Sequence, residues 1–278
     1  SSIIVAGIAT APVDPLNMLE LEHYAPSIFR KLVMALHAYE VAEVDMIFDG
    51  TGLHVRTTCS LQKNNIYFDV DGSCMKWYYC ERPIAVSVKL SSLVSAVDRI
   101  GRYHDKIAFM MKRNTQSKLF VVTHETEMGG NTNARIDVVT RPLAELPACI
   151  DDETNYPISF MFSSAELKKL IANARKMADQ LTIERDVGQP MQLTIQQNGI
   201  LTHHQYPAEK IKLRVVGEDD LVSATVPTSY VKKFTDTIIG DTVSISVDSE
   251  RNMCFASCTD KRDDRWAFTA RVFIKLKK

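Results

Sequence analysis

The stretch SIFRKL at Ser27–Leu32 recurs as AELKKL at Ala165–Leu170, and this recurrence decides the fold class. The second copy lies 138 residues after the first (165 − 27 = 138). The segments Val88–Val97 and Val226–Thr235 align at the same spacing (226 − 88 = 138), and each of the four segments has the apolar periodicity of a helix. Two matches that share one spacing indicate a duplicated domain.

Composition places the chain among ordinary soluble globular proteins. It has 278 residues, enough for two domains, with 45% hydrophobic and 24% charged residues. Lys+Arg is 33 and Asp+Glu is 34, so a nucleic-acid-binding face would have to be local. No apolar run approaches the ~20 residues that span a membrane, and the apolar stretch 1–11 lacks a basic leader. We expect an intracellular protein with no membrane partner.

The sequence shows no motif of a catalytic or metal-binding protein. Its six cysteines form no CxxC pair and no metal-ligand spacing with histidine, which favours free thiols in a reducing compartment. Phosphate-binding loops, nucleophile elbows, HExxH and EF-hand patterns are absent. The adjacent His203 and His204 would point to opposite faces of a strand. We therefore predict no enzyme, no metal and no cofactor.

The two halves have the same predicted architecture. Each contains two helices and about eight or nine short antiparallel strands, separated by turn signals such as Asp49-Gly50 and Asp71-Gly72. The fold class is α+β, with two tandem similar domains in which two helices pack on antiparallel sheets. The predicted segments are an N-terminal extension at 1–17, domain 1 at 18–142, a connector at 143–157 and domain 2 at 158–278.

Each predicted helix carries an apolar stripe on one side and positive charge on the other. The predicted helices are Ser27–Ala38, Ser91–Arg102, Ser164–Ala178 and Thr228–Ile239, the third with a capping box at Ser163 and Glu166. A cationic patch on a single helix is usually only solvated. Four such helices in a slightly acidic chain favour a surface that follows DNA phosphates. The basic residues predicted to face DNA are Arg30, Lys31, His37, Arg99, Arg102, Lys168, Lys169, Arg175, Lys176, Lys232 and Lys233.

The run CERPIAVSVKLSSL at Cys80–Leu93, with Tyr78 before it, resembles the tyrosine–x–cysteine–acid–arginine run of the proliferating cell nuclear antigen (PCNA) family. The segments Ser27–Leu36, Ser164–Lys176 and Tyr230–Thr235 resemble three helices of that family, and the resemblance extends from about Leu19 to Phe273. The Tyr156-Pro157 entry to the second domain and the helix that follows it look like those of clamps of large nucleocytoplasmic DNA viruses, which suggests a viral source.

The resemblance implies the DNA clamp fold and the function of a sliding clamp. Family members are non-catalytic homotrimeric rings that join head to tail and encircle duplex DNA, with their helices lining the hole. The implied partners are double-stranded DNA contacted through phosphates, a DNA polymerase, other clamp-binding proteins, a clamp loader and the chain itself. The implied process is DNA replication and repair, in the nucleus or at a viral replication site.

The resemblance also implies a partner-binding site and two subunit edges. Leu143, Leu146 and Ile150 in the connector, with Met253 close by in the family, would receive hydrophobic motifs of partners. The alternative is that these residues only pin the connector to its sheets. The edges would be Lys118–His124 and Glu209–Gly217. The side chains predicted at the subunit interface are Leu119, Val121, Ile211, Leu213 and Val215.

Some residues depart from the family pattern, and other functions stay open. Ser95, Asp98 and Asp236 stand where members often carry lysine, and Thr58 and Asn252 replace apolar residues of the partner pocket. One alternative is a checkpoint-type clamp subunit of a heterotrimer. Another is a polymerase accessory factor that binds DNA without encircling it, and an enzyme of unknown type is the last. Self-assembly, and retention on closed circular against linear DNA, would separate these alternatives.

Overall fold

Two compact units make up the chain in the computed structural model, which describes residues 3–4, 14–59, 64–146, 156–172, 179–186, 188–197, 199–216, 222–236, 239–248, 250, 252–262 and 265–275. Unit 1 consists of Ser1–Cys59, Ile66–Ala148 and Thr259–Ala270, and unit 2 of Ser60–Asn65, Cys149–Cys258 and Arg271–Lys278. The domain boundaries predicted at residues 17, 142 and 157 stay predictions, because the units are not continuous chain segments.

Within the described residues, each unit contains one pair of α-helices. The helices are α1 (Pro26–Ala38), α2 (Leu90–Val97), α3 (Ser164–Ile171) and α4 (Thr228–Thr235). In unit 1 α1 packs against α2, and in unit 2 α3 packs against α4. The first residues of corresponding helices are separated by the spacing found in the sequence (164 − 26 = 138 and 228 − 90 = 138). The helices therefore confirm the predicted duplication.

The helix starts follow the sequence signals more closely than the helix ends. At the start of α3, Oγ of Ser163 accepts a hydrogen bond from the Glu166 N–H at 3.4 Å, as the capping box predicts. The predicted extension of α2 to Arg102 is wrong, because the chain turns after Val97 and the Gly101 N–H donates to Nδ1 of His104. Likewise α4 ends at Thr235, short of the predicted Ile239.

The strands of unit 1 pair in the order β1-β6-β2-β8-β9-β10-β7-β3-β4-β5. Strand β10 joins the two halves of this order, since its first part pairs with β9 and its last four residues pair with β7. The strands are β1 (Ile3–Ile4), β2 (Asn17–His23), β3 (Glu43–Phe48), β4 (Gly52–Cys59), β5 (Asn64–Asp71), β6 (Trp77–Cys80), β7 (Ile84–Lys89), β8 (His104–Lys112), β9 (Thr115–Glu125) and β10 (Asn131–Arg141).

The strands of unit 2 form two groups. One has the order β18-β17-β11-β15, and the other is a separate sheet in the order β14-β13-β12-β16; β18 and β19 also contribute residues to unit 1. The strands are β11 (Ile158–Ser163), β12 (Gln180–Arg185), β13 (Met191–Gln197), β14 (Ile200–Tyr206), β15 (Arg214–Val215), β16 (Val222–Pro227), β17 (Thr242–Val247), β18 (Met253–Arg262) and β19 (Arg265–Ile274).

The core of each unit lies under its helix pair. Phe29, Leu32 and Leu36 of α1 are buried, as are Leu167 and Ile171 of α3. These positions are spaced three or four apart, so each helix buries one continuous stripe and leaves its other side in solvent. Among the described residues, no helix is both long and apolar enough to cross a membrane.

The turn between β3 and β4 is fixed by a glycine and a buried tyrosine. Gly52 has φ +142°, and a Cβ at this position would lie 2.1 Å from the carbonyl oxygen of Val70. The hydroxyl of Tyr78 donates to the carbonyl oxygens of Asp49 and Gly52 at 2.7 and 3.0 Å. The tyrosine of the family-like run thus anchors a turn that only glycine fits.

His54 lies beside two carboxylates on the strand that follows this turn. Its Nδ1 is 2.6 Å from Oδ1 of Asp69, and its Nε2 is 3.1 Å from Oδ1 of Asp49. Burial of the ring opposes the charged form, but the hydrogen bonds to the two carboxylates outweigh it and raise the pKa of His54 to about 9. The same contacts hold the pKa of Asp49 below its usual range, against the opposing effect of burial.

The raised pKa of His54 predicts a loss of stability in mild base. Because the pKa is about 9 in the folded chain and about 6.5 when unfolded, the contribution is complete below pH ~6.5 and disappears as pH rises through 9. Its upper limit is about 3 kcal/mol. Urea unfolding of wild type and His54→Gln between pH 6 and 10 should give free energies of unfolding that converge as pH rises. Parallel curves would contradict the assignment.

Candidate nucleic-acid interface

The α1 helix presents part of the predicted cationic face to solvent. Lys31 and His37 are exposed, on the side away from the buried stripe. Arg30 is half-buried, and its Nε donates to the carbonyl oxygen of Asp98 at 3.1 Å, just beyond the last residue of α2. Arg30 therefore joins the two helices of unit 1, because arginine near a helix C-terminus satisfies a free carbonyl.

Arg99 and Arg102 lie beyond α2 rather than on it. Both are exposed in the turn that follows Val97. The guanidinium of Arg102 stacks on the ring of Tyr103 at 4.6 Å and contacts its hydroxyl group. These two side chains are solvent-accessible, as the sequence predicts. They lie on a turn, however, and not on a continuation of the helix.

Unit 2 repeats the pattern on α3 and α4. Lys168, Lys169 and Lys232 are exposed, and Lys233 is half-buried. Nζ of Lys232 lies 3.7 Å from a carboxylate oxygen of Asp236. Both side chains are exposed and such a pair is weak, so Lys232 could contact a phosphate instead of Asp236. The predicted Arg175 and Lys176 lie outside the described residues.

These cations are suited to phosphates rather than to bases. Lys and Arg side chains on an exposed helix face reach a charged backbone through long flexible stems, and they carry no sequence information in doing so. Asp98 and Asp236 are exposed beside them. The resulting attraction for DNA would be weak. No group of three or more His, Cys, Asp or Glu side chains could hold a metal ion within the described ranges.

The predicted subunit edge at Lys118–His124 is wrong. This segment belongs to β9, which pairs with β8 on one side and β10 on the other. Leu119 and Val121 are fully buried in unit 1 and cannot face another subunit. The open part of this sheet is the first part of β10, since Asn131–Asp137 pairs only with β9 among the described strands. The sequence predicts only the Ile136–Val139 part of this strand, because the residues before it are mostly polar and do not alternate.

The predicted edge at Glu209–Gly217 is also largely wrong. Ile211 is buried, and its carbonyl oxygen accepts a hydrogen bond from the Met161 N–H at 2.6 Å. Leu213 and Val215 are half-buried, and only the two-residue β15 is a strand, paired with the start of β11. The family resemblance implied an extended strand here, and the alternation of its apolar residues supported it, but a turn of the chain at 207–212 interrupts it.

Strand β14 lies at one open edge of the separate sheet in unit 2, and β16 lies at the other. Strand β14 pairs with β13 along its whole length and with no other strand of the described chain. Its first residues, Ile200 and Leu201, are 66% and 58% exposed, which is unusual for large apolar side chains at a strand edge. The Asn198-Gly199 dipeptide that precedes them is a sequence signal for this hairpin.

A cleft lies beside the open part of β10. A space of about 350 Å³ separates α2 from the edge part of β10 in unit 1. Three serines of α2 line one side of it, and the other side is the edge strand itself. The lining residues are Ser91, Ser92, Ser95, Ala96, Ala134, Arg135, Ile136 and Asp137.

The predicted partner-binding residues divide into three groups. Leu143 is 44% exposed and Leu146 is half-buried, both in or beside a short 3₁₀ turn. Ile150 lies outside the described residues. The prediction for Met253 is wrong, because this side chain is completely buried between strands of unit 2 and offers no surface to a partner.

Comparisons with known proteins place this geometry in a wider context. No family profile matches the chain. Uncharacterized protein E301R of African swine fever virus, from isolates Pig/Kenya/KEN-50/1950 and Warthog/Namibia/Wart80/1980, is 22% identical over 264 residues, covering 91% of this chain and 88% of the relative. These viral relatives are consistent with the expected viral source.

Among solved structures, PCNA from Entamoeba histolytica superposes with a TM-score of 0.72 at 14% sequence identity. The superposition covers 94% of this chain and 100% of that one. The paired helices, the antiparallel sheets and the duplication at 138 residues are thus accounted for together. The chain has the α+β fold of a PCNA-type sliding clamp.

Proposed function

We propose that this protein is a DNA polymerase processivity factor: a sliding clamp that encircles duplex DNA and tethers replication and repair proteins. The proposal rests on one observation: the helix pairs of both units present basic side chains to solvent. These are Lys31, Lys168, Lys169 and Lys232. A clamp needs no chemistry of its own, so the proposal assigns no enzymatic role. A clamp loader and a polymerase are its expected partners, in the nucleus or at a viral replication site.

Weak contact with DNA suits this function. A ring stays on DNA by topology, and strong phosphate binding would slow its sliding. Each lysine that neutralises a phosphate releases counterions, so binding should be independent of sequence and fall with salt. The exposed Asp98 and Asp236 keep the attraction moderate.

Ring formation would use two of the open strand edges. The edge part of β10 has unpaired backbone groups beside the cleft at α2, and β14 has unpaired groups with Ile200 and Leu201 exposed. Because the two edges belong to different units, pairing one with the other is heterologous and propagates head to tail. Three copies closing in this way would cover these two edges in every chain.

Replacing Lys168 and Lys169 by Glu should weaken DNA binding without unfolding the chain. Exposed charges contribute only ~0.2–1 kcal/mol each to stability. Each phosphate that the variant no longer neutralises should make the log–log salt slope shallower by about 0.9. Processive synthesis on a long primed template should fall at physiological salt.

The control variant is K210E/K212E, which makes the same charge change at two exposed lysines outside the helices. It should retain the wild-type salt slope and processivity. Full processivity of K168E/K169E, or equal losses in both variants, would show that the helix face does not contact DNA.

The proposed assembly predicts that Leu201→Asp separates the subunits. Burying a carboxylate at an interface is costly, whereas Leu201 is 58% exposed in the single chain and its replacement should leave folding intact. Native mass spectrometry at micromolar concentration should show a complex with the mass of three chains for wild type and a single chain for L201D. Met128→Asp, at a residue that is 85% exposed, is the matched control and should stay trimeric.

A wild-type chain that is only monomeric at this concentration would exclude the homotrimer. A chain that assembles only with other proteins would favour a checkpoint-type heterotrimer. Equal retention on closed circular and linear DNA would instead favour an accessory factor that does not encircle DNA.

The partner site predicts a difference between Leu143 and Met253. Leu143→Ala removes exposed apolar surface and should weaken binding of an aromatic-containing peptide from the cognate polymerase several-fold, with little change in stability. Met253→Ala removes a buried side chain and should lower the free energy of unfolding by about 2–5 kcal/mol, leaving peptide affinity of the folded chain unchanged. Fluorescence titration and urea unfolding would measure both, with Leu16→Ala as an exposed control. Unchanged peptide affinity in L143A would favour the alternative that the connector residues only pin the chain.

A further inference from the structure

Strand β6 lies next to the end of the unit 1 sheet, and in the described part of the chain a two-residue strand is its outer neighbour. On its inner side β6 pairs with β2, with Leu19 opposite Cys80 and Glu20 opposite Tyr79. On its outer side Ile3 lies opposite Cys80 and Ile4 opposite Tyr79, in the antiparallel strand β1. A four-residue strand is thus held between two segments of the same N-terminal region.

A strand added at the outer edge of β6 would have side chains of β6 beside it on both faces of the sheet. Tyr78 and Cys80 are buried in the core of unit 1, while Trp77 and Tyr79 are half-buried on the opposite face. Without β1, the outer N–H and C=O groups of β6 would be open to pairing with another extended chain. Such edges bind peptides through main-chain hydrogen bonds and gain specificity from alternating side-chain positions.

The resident strand is short and its connection is long. Residues 5–16 separate β1 from β2, about 12 residues, which could span up to ~40 Å. The two strand spacings that β1 must cross measure only ~10 Å. Two paired residues on such a connection can leave the edge at little cost to the rest of unit 1.

We propose that the outer side of β6 is a strand-acceptor site for an extended, uncharged apolar segment of a partner protein. The Ile3–Ile4 strand is the chain's own occupant of this site, and the partner segment takes its place. The position opposite Cys80 requires an apolar residue, because Cys80 belongs to the buried face. The site is independent of the helix faces and of the clamp function proposed above.

The test opens the edge in the full chain with the double variant I3P/I4P. Proline removes the N–H donors of β1 and is excluded from paired strand positions. The control I3V/I4V keeps strand-forming residues at both positions. The probe is a fluorescein-labelled peptide with the sequence of residues 1–11. It should bind I3P/I4P at least tenfold more tightly than wild type or I3V/I4V, and the same peptide with proline at both isoleucines should not bind.

Hydrogen exchange provides a second measurement. The amides of Trp77–Cys80 should exchange faster in I3P/I4P than in wild type and recover protection at saturating peptide. If I3P/I4P does not fold, Ile4→Gly opens the edge more gently and takes its place in both experiments. Unchanged exchange, no peptide binding or equal binding by all variants would overturn the proposal. A wild-type oligomer that I3P/I4P alone loses would also overturn it, because the edge would then join copies of this chain.

Discussion

The amphipathic packing of four helices is the constraint on which the rest of the molecule depends. Each helix buries a stripe of apolar side chains against the sheets of its own unit, such as Leu167 and Ile171 of α3. A helix that buries one side must turn its opposite side to solvent, so Lys168 and Lys169 are exposed as a consequence of the core. The stability of each unit and the charge on its helix face therefore have one physical origin.

The same constraint explains how the fold is kept at low sequence identity. The Entamoeba histolytica clamp shares 14% of its residues with this chain, yet the structures superpose with a TM-score of 0.72. Helix stripes and alternating strands need apolar residues of suitable size, not particular ones. Specific identity is required only at a few places. Gly52, whose Cβ would meet the carbonyl oxygen of Val70, is one of them.

Strand edges are the second determinant of what this chain can do. The edge part of β10 and the whole of β14 have unpaired backbone groups, whereas β6 is covered by the short strand β1. An uncovered edge strand of an antiparallel sheet has unpaired N–H and C=O groups that can pair with another strand. Exposed Ile200 and Leu201 distinguish β14 as an edge suited to a permanent neighbour. The two-residue cover of β6 suits an exchangeable one.

The sequence alone was enough to predict the duplication, the α+β class, where the helices begin and the exposure of Lys31, Lys168, Lys169 and Lys232. These features follow from local periodicity, which one segment carries alone. Which strands lie at an edge became clear only from the pairing of the folded chain. Leu119 and Val121 alternate like an edge strand but are buried, because Asn131–Asp137 pairs beyond them. The burial of Met253 and the contact of Arg30 with the end of α2 were likewise visible only in the folded chain. Strand order and burial depend on segments distant along the chain, and no local pattern contains that information.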